Sequence, residues 1–200
     1  MITAIISGPA RAQERISTIE IKDVPLSAAV ANLATQAELN YILDPRVPGS
    51  SFEPGNSAPQ PKVTFQGTNL TAHEAFSRVL KENKLVLVTN RMTPVLRVVP
   101  AGTSTRADQT NAHGHVSEKV IPRIVMDFVS LPDALTQLGT AANLAFKFDA
   151  DLSAALGKRG TVSFAWKNLT VSEAIAALLQ NFDLVLIPEQ QPAAFRVEQR

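Results

Sequence analysis

The sequence predicts an α+β fold made of two tandem βαββαββ units, each with two helices packed on small mixed sheets. The segment NLTAHEA at residues 69–75 recurs as NLTVSEA at residues 168–174, and the match continues through the flanking regions at the same offset of 99 residues. Within each copy the apolar residues change from a period of two, typical of half-buried strands, to a period near 3.6, typical of amphipathic helices. Internal similarity over this length indicates a duplicated domain.

Each unit begins with a short alternating strand, TIEIKDV or RIVMDFV, and a first helix follows it. Apolar residues at i, i+3, i+4, i+7 and i+11 predict this helix. They are Leu26, Ala29, Val30, Leu33 and Ala37 in the first copy and Leu131, Ala134, Leu135, Leu138 and Ala142 in the second. Two strands are predicted next, because β-branched and aromatic residues favour half-buried strands. They are LNYILD and KVTFQG in the first copy and LAFKFD and TVSFAW in the second.

The repeated segment itself predicts the start of the second helix. Thr71 with Glu74, and Thr170 with Glu173, have the spacing of a capping box, in which each side chain satisfies a main-chain N–H at the helix start. The apolar runs LVLV and LVLI then predict a strand, and VLRVV and AFRVE predict the last strand of each unit. The repeated phrase is therefore interpreted as architecture.

Length and composition divide the chain and limit its function. We expect a signal-peptide remnant or disordered tail at residues 1–16, a first unit at 17–100, a linker at 101–119 and a second unit at 120–200. With 19 basic and 18 acidic residues the net charge is +1, which provides no field that would attract nucleic acid or an anionic membrane. The chain has no cysteine, which excludes disulfides, thiol catalysis and thiolate metal sites.

No catalytic, cofactor or metal site is expected. His113 and His115 have a spacing that suits one metal ion, but they fall in the predicted linker without other ligands, so a solvated loop is favoured. Asp44 and Asp149 occupy equivalent positions, yet acid–base catalysis needs a second convergent group that the sequence does not supply. Asp at a strand end more often closes a turn. The protein is therefore expected not to be an enzyme.

The order of motifs resembles the secretin and TonB N-terminus short domain, the N0-type module of secretins and TonB-dependent transducers. The matching features of the first copy are Pro25-Leu26, Leu39-Asn40-Tyr41, Asp44-Pro45, Val63 to Phe65, Leu70-Thr71, Glu74-Ala75 and Leu80 followed by Leu85. The second copy departs at Ser130, Ala145 and Ala150, and together the two matches cover nearly the whole chain after the N-terminal segment. In that family the module is a periplasmic protein-interaction domain, so the resemblance implies that role only.

The resemblance and the N-terminal segment together favour a periplasmic, exported bacterial protein. Ala10-Arg11-Ala12 has the A-x-A pattern that precedes signal-peptide cleavage, which would start the mature chain near Gln13. The expected function is a docking or adaptor module for other envelope proteins, linked to secretion, pilus assembly or signal transduction. The alternative is an envelope protein that binds a small molecule or peptidoglycan in a cleft between the units.

Partner binding is expected to use β-augmentation, in which an extended segment pairs with an exposed edge strand. The last strand of each unit, at residues 95–99 and 194–198, is the predicted edge, because the chain leaves the fold there. Trp166 is interpreted either as an exposed contact residue or as a side chain buried against its own helix. The predicted partner-binding residues are Val95, Arg97, Val98, Arg196, Val197 and Trp166.

Overall fold

The computed structural model describes residues 14–50, 60–89, 93–103, 119–158, 161–189 and 193–199. The predicted N-terminal A-x-A segment, the His113 and His115 pair and most of the predicted linker lie outside these residues. The first unit (unit 1) has the predicted order βαββαββ. Its elements are β1 (Ile16–Pro25), α1 (Leu26–Gln36), β2 (Tyr41–Leu43), β3 (Lys62–Leu70), α2 (Ala72–Glu82), β4 (Leu85–Val88) and β5 (Leu96–Pro100).

The second unit (unit 2) repeats this order with one additional helix, which the sequence pattern did not predict. Its elements are β6 (Val120–Ser130), α3 (Leu131–Ala141), β7 (Ala145–Phe148), α4 (Ala150–Lys158), β8 (Thr161–Thr170), α5 (Val171–Asn181), β9 (Leu184–Pro188) and β10 (Ala194–Gln199). The additional helix is α4, which forms because Leu152 and Leu156 lie one turn apart and pack on the unit 2 core.

Each unit contains two small sheets, which confirms the predicted α+β class. An antiparallel pair, β1–β3 or β6–β8, forms one sheet. The other is a mixed three-stranded sheet in which the last strand of the unit lies in the centre, in the orders β2-β5-β4 and β7-β10-β9. The last strand runs parallel to β2 or β7 and antiparallel to β4 or β9.

The helices pack between these sheets and bury the predicted apolar faces. Thr71 and Thr170 each form a complete capping box, as predicted, in which Glu74 N donates to Thr71 Oγ1 at 3.1 Å and Glu173 N donates to Thr170 Oγ1 at 3.1 Å. Each unit has its own buried core, but Ile42 and Val95 of unit 1 belong to the core cluster of unit 2. The two units are therefore in contact.

None of the described helices is both long enough and apolar enough to cross a lipid bilayer.

Candidate interaction site

The edge of the unit 1 sheet at β2 is covered by side chains of unit 2. Trp166 Nε1 donates to the main-chain carbonyl of Tyr41 at 2.7 Å, and Asn181 Nδ2 donates to the carbonyl of Leu43 at 2.9 Å. Asn40 and Asp44, the residues on either side, form main-chain hydrogen bonds with β5. The carbonyls of Tyr41 and Leu43 therefore point away from their own sheet. Two outward acceptors of the edge are therefore satisfied without a further strand, which removes part of its tendency to recruit one.

A second contact uses an amide side chain in place of a peptide group. Asn40 Nδ2 donates to the carbonyl of Lys167 at 2.9 Å, and Lys167 N donates to Asn40 Oδ1 at 2.8 Å. The side-chain amide thus pairs with β8 as a peptide group of a neighbouring strand would, because it offers one donor and one acceptor in the same plane. The reciprocal pair fixes the position of Lys167 in β8 relative to Asn40, the residue that precedes β2.

A buried carboxylate lies beside this contact. The Asp44 side chain is fully buried and accepts from Arg46 Nε at 2.8 Å and from the second Arg46 terminal nitrogen at 2.8 Å, a bidentate pair. An Arg97 terminal nitrogen donates to Asp44 Oδ2 at 2.7 Å and to the carbonyl of Asn181 at 3.2 Å. Arg97 therefore links the carboxylate of unit 1 to the end of α5 in unit 2.

The charges around Asp44 control its ionisation. Burial alone would raise the pKa of Asp44, but the hydrogen bonds from the side chain and main chain of Arg46, with the positive charges of Arg97 and Arg46, outweigh it. The pKa of Asp44 therefore lies below its usual value. Its counterpart Asp149 is exposed, and the counterpart of Arg97, Arg196, pairs instead with Glu198 at 3.1 Å. The buried ion cluster is thus specific to the contact between the units.

A small cavity remains where the units meet. Its volume is about 10 Å³, and its lining includes Ile42, Ser50, Thr161 and Phe182. The hydroxyls of Ser50 and Thr161 are buried there, and neither forms a hydrogen bond with any residue in the described parts of the chain. A cavity of this size and polarity suits at most a single water molecule, whereas pockets for small molecules are roughly 300–1,000 Å³.

The edge at β7 is the counterpart of β2, and no other strand of the described residues pairs with it on its outer side. Ala145 N donates to the carbonyl of Ala193 at 2.9 Å, so Ala145 faces the sheet and the peptide groups of Phe146 and Phe148 face outward. Ala145 and Lys147 are exposed, and the two Phe residues are half-buried. Among the described residues, the edge that unit 2 covers in unit 1 is thus open in unit 2.

The prediction that the last strand of each unit is an edge is wrong. β5 and β10 lie in the centre of their sheets, where each pairs with two strands. Val98 and Val197 are fully buried as a result, and Val95 is 4% exposed. Partner binding by these residues was predicted because their strands were expected to be edges. It stays a prediction, but the edge position no longer supports it.

The structure places the other predicted residues in different surroundings. Trp166 is fully buried, yet its polar end contacts unit 1 and not only its own helix, and its ring stacks on Phe164 with centroids 3.7 Å apart. Arg97 is largely buried in the ion cluster, and Arg196 is exposed on β10. Trp166 and Arg97 therefore meet at the contact between the units, and Arg196 does not join them.

Sequence reasoning missed Asn40 and Asn181 as contact residues. Both are single polar residues that follow no periodicity, so no pattern within one unit reveals them. The comparison of the two copies carried the signal, because Ala145 replaces Asn40, Gly67 replaces Trp166 and Glu82 replaces Asn181 at the equivalent positions. Positions at which duplicated units differ in polarity are where the units acquire different contacts.

These features define a protein of two tandem α+β units with repeated β-α-β motifs, joined by a polar contact at a sheet edge. No protein-family model matches the chain, and no curated protein matches it. The resemblance to the secretin and TonB short domain therefore has no support from a family match.

Proposed function

We propose that the protein is a non-enzymatic docking module of the bacterial cell envelope, in which unit 2 binds an extended segment of a partner protein along β7. One observation carries the proposal: the chain already uses the equivalent edge, β2, to dock its own second unit. The open edge at β7 presents main-chain groups of Phe146 and Phe148 with the same orientation. Main-chain pairing at such an edge provides affinity, and pockets for alternate side chains provide selectivity.

The surroundings of β7 suit an added strand. Lys147 forms an ion pair with Glu189, so the charge nearest the edge is balanced and does not repel a partner of either sign. Phe146 and Phe148 offer half-buried apolar surface beside the outward peptide groups. Location in the periplasm is proposed from the A-x-A segment at residues 10–12 and from the resemblance to the secretin and TonB short domain.

Among the described residues, no observation favours the alternative expected from the sequence, ligand binding in a cleft between the units. Trp166, Asn181 and Arg97 fill the region where β2 meets unit 2, and the cavity there has a volume of about 10 Å³.

The test uses a photo-crosslinking amino acid in place of Lys147, with His73 on the exposed side of α2 as the control position. Expressed in the native cell envelope, the Lys147 variant should capture a discrete partner that the His73 variant does not capture. Fractionation of the same cells by osmotic shock measures whether the protein is periplasmic.

A matched pair of variants then separates the main chain from the side chain. Phe148→Ala and Phe148→Pro remove the same ring, but only proline removes the outward N–H. Calorimetric titration of the captured partner should give weaker binding to Phe148→Pro than to Phe148→Ala. Equal affinities would exclude strand addition at β7.

A further inference from the structure

The outer face of the β6–β8 pair carries an exposed apolar surface. Val125 is 55% exposed and Phe128 is 58% exposed, and Val125 lies directly opposite the exposed Ala165. The alternate residues of these strands, among them Ile124 and Phe164, are buried on the inner face. Large apolar residues grouped on an exposed face are typical of an interaction surface.

Two positive charges lie directly beside this apolar surface. Arg123 is the cross-strand partner of Lys167, and both side chains are exposed. Neither side chain forms an ion pair with another residue in the described parts of the chain. Like charges directly opposite on a sheet destabilise it, so this pair costs the isolated protein stability. The acidic Asp127 of the same strand accepts from Ser163 Oγ at 3.1 Å.

Unit 1 provides a comparison at equivalent positions with the same pairing register. Thr18 lies opposite Thr68 where unit 2 has Arg123 and Lys167, and Glu20 lies opposite Gln66 where unit 2 has Val125 and Ala165. The unit 1 face also balances its own charges, because Lys22 pairs with Glu20 at 2.6 Å. Solvent-exposed polar pairs therefore suffice for this sheet, and the fold does not require the apolar and basic residues of unit 2.

Phe128 adds a backbone cost. It lies at the bulge in β6 with a φ of 51°, and its counterpart Asp23 lies at the equivalent bulge with a φ of 53°. Asp tolerates this left-handed conformation, whereas a bulky residue there is an outlier that strains the backbone. Asp23 in unit 1 also gains an ion pair with Lys62 at 2.6 Å. An exposed aromatic residue held in an unfavourable conformation points to a function.

We propose that this outer face, formed by Arg123, Val125, Phe128, Ala165 and Lys167, binds an acidic segment of a partner protein that also carries apolar side chains. The carboxylates of the segment neutralise Arg123 and Lys167, which removes their mutual repulsion. Its apolar side chains cover Val125 and Phe128. This surface is separate from the β7 edge, so the inference goes beyond the proposed function and does not depend on it.

A protein segment fits this face better than a membrane. Membrane recognition by charge uses clusters of about 4–8 basic residues, whereas this face has two. The chain as a whole has a net charge of +1 and provides no further attraction to anionic lipid.

The experiment selects short random peptides displayed on phage against the full chain. The selected peptides should be enriched in Asp and Glu interspersed with apolar residues. Binding of the synthetic peptides should fall about tenfold or more in the double variant Val125→Glu and Phe128→Asp, which installs the unit 1 residues. The charge variant Arg123→Glu with Lys167→Glu should lose binding similarly.

Three controls make the result decisive. Circular dichroism should show that Phe128→Asp folds, because unit 1 has Asp at the same bulge. Glu20→Gln on the unit 1 face and Phe148→Pro on β7 should leave peptide binding unchanged, which separates this surface from the proposed docking edge. Selected peptides without acidic enrichment, or equal binding to the variants, would overturn the proposal. Variant-sensitive binding to phosphatidylglycerol vesicles in place of peptides would also overturn it.

Discussion

The indole N–H of Trp166 donates a 2.7 Å hydrogen bond to the carbonyl of Tyr41, joining residues that belong to different copies of a duplicated domain. Tyr41 lies on the outer strand of its sheet, so the acceptor is an edge group that a neighbouring strand would otherwise take. Because the indole and the carbonyl are both buried, neither can exchange this bond for one with water.

Trp166→Phe should weaken the contact between the units. Phenylalanine keeps most of the buried ring but leaves the Tyr41 carbonyl without its partner, at a cost of about 1–3 kcal/mol. The chain has no cysteine, so labels at Arg78→Cys and Gln137→Cys report the distance between the units by fluorescence transfer. The control Phe76→Leu trims a ring buried in unit 1 and should lower stability without altering that distance. An unchanged distance and stability for Trp166→Phe would contradict the role given to this bond.

Asp44→Asn should destabilise the protein by roughly 3 kcal/mol, because it leaves the largely buried Arg97 without a counter-charge. Asp149→Asn is the matched control in unit 2 and should have little effect, since Asp149 is exposed. Urea unfolding at neutral pH measures both.

The same carboxylate predicts acid sensitivity. The folded-state pKa of Asp44 is lowered, so its contribution is fully present above the ordinary aspartate value of about 4 and is lost as the pH falls through the lowered folded pKa. The stability of the wild type should therefore decline more steeply than that of Asp44→Asn below about pH 4. Parallel curves for the two proteins would show that Asp44 is not the titrating group.

Thr71→Ala and Thr170→Ala should each cost about 1 kcal/mol, since each removes the side chain that accepts the N–H of the third helical residue. Thr71 lies in unit 1 and Thr170 in unit 2, so the pair tests whether the repeated segment has the same role in both. Thermal unfolding measures the loss. Partner binding should persist below the melting temperature, and its loss in a folded variant would give the segment a function beyond capping.

Gly139→Ala should destabilise unit 2, although alanine is ordinarily the better helix former by about 1 kcal/mol. A Cβ at Gly139 would lie 2.6 Å from the Phe146 ring and 2.9 Å from the Leu144 carbonyl, so α3 or β7 must move. Overpacking of this kind costs about 1–3 kcal/mol. Ala34 occupies the equivalent position in α1, and Ala34→Gly should also destabilise, through lost helix propensity. A more stable Gly139→Ala would show that the close approach is relaxed in solution.

Residues 17–100 and 120–200 should each unfold cooperatively when expressed alone, because each has its own buried core. Trp166 is the only tryptophan, so its fluorescence reports the contact directly. Its emission should shift to longer wavelength in the isolated second unit and return when the first unit is added. A non-cooperative melt of either half would show that the units fold only together.

The order of helices and strands could be predicted because it depends on local patterns. The capping boxes at Thr71 and Thr170 are each recognised within one helical turn, and the apolar stripe of α1 is recognised within about three. The helix α4 was not predicted because the repeat aligns it with a Pro- and Gly-rich loop of unit 1. A loop was therefore expected in unit 2 as well, although Leu152 and Leu156 have helical spacing.

The strand order and the contact depend on pairing between distant residues, which periodicity does not encode. β5 was expected at an edge because the chain leaves the unit there, yet Val98 and Val99 are both fully buried, as in a central strand covered on both faces. Each contact at Trp166, Asn40 and Asn181 uses a single side chain, so no periodic pattern predicts it. The only signal in the sequence is that the other copy has a different residue at each equivalent position.

The differences between the copies also mean that the contact between the units cannot repeat from one molecule to the next through the same groups. Suppose that every unit carried both an edge like β2 and a donor like Trp166. Each unit would then bind the edge of one neighbour and present its own edge to the next, which is how open-ended head-to-tail filaments grow. Gly67 has no side chain to donate, and the carboxylate of Glu82 would repel a carbonyl such as that of Leu43, to which Asn181 of unit 2 donates. Unit 1 therefore lacks the two donors by which unit 2 receives the β2 edge, so it cannot receive the β7 edge of another molecule through these groups.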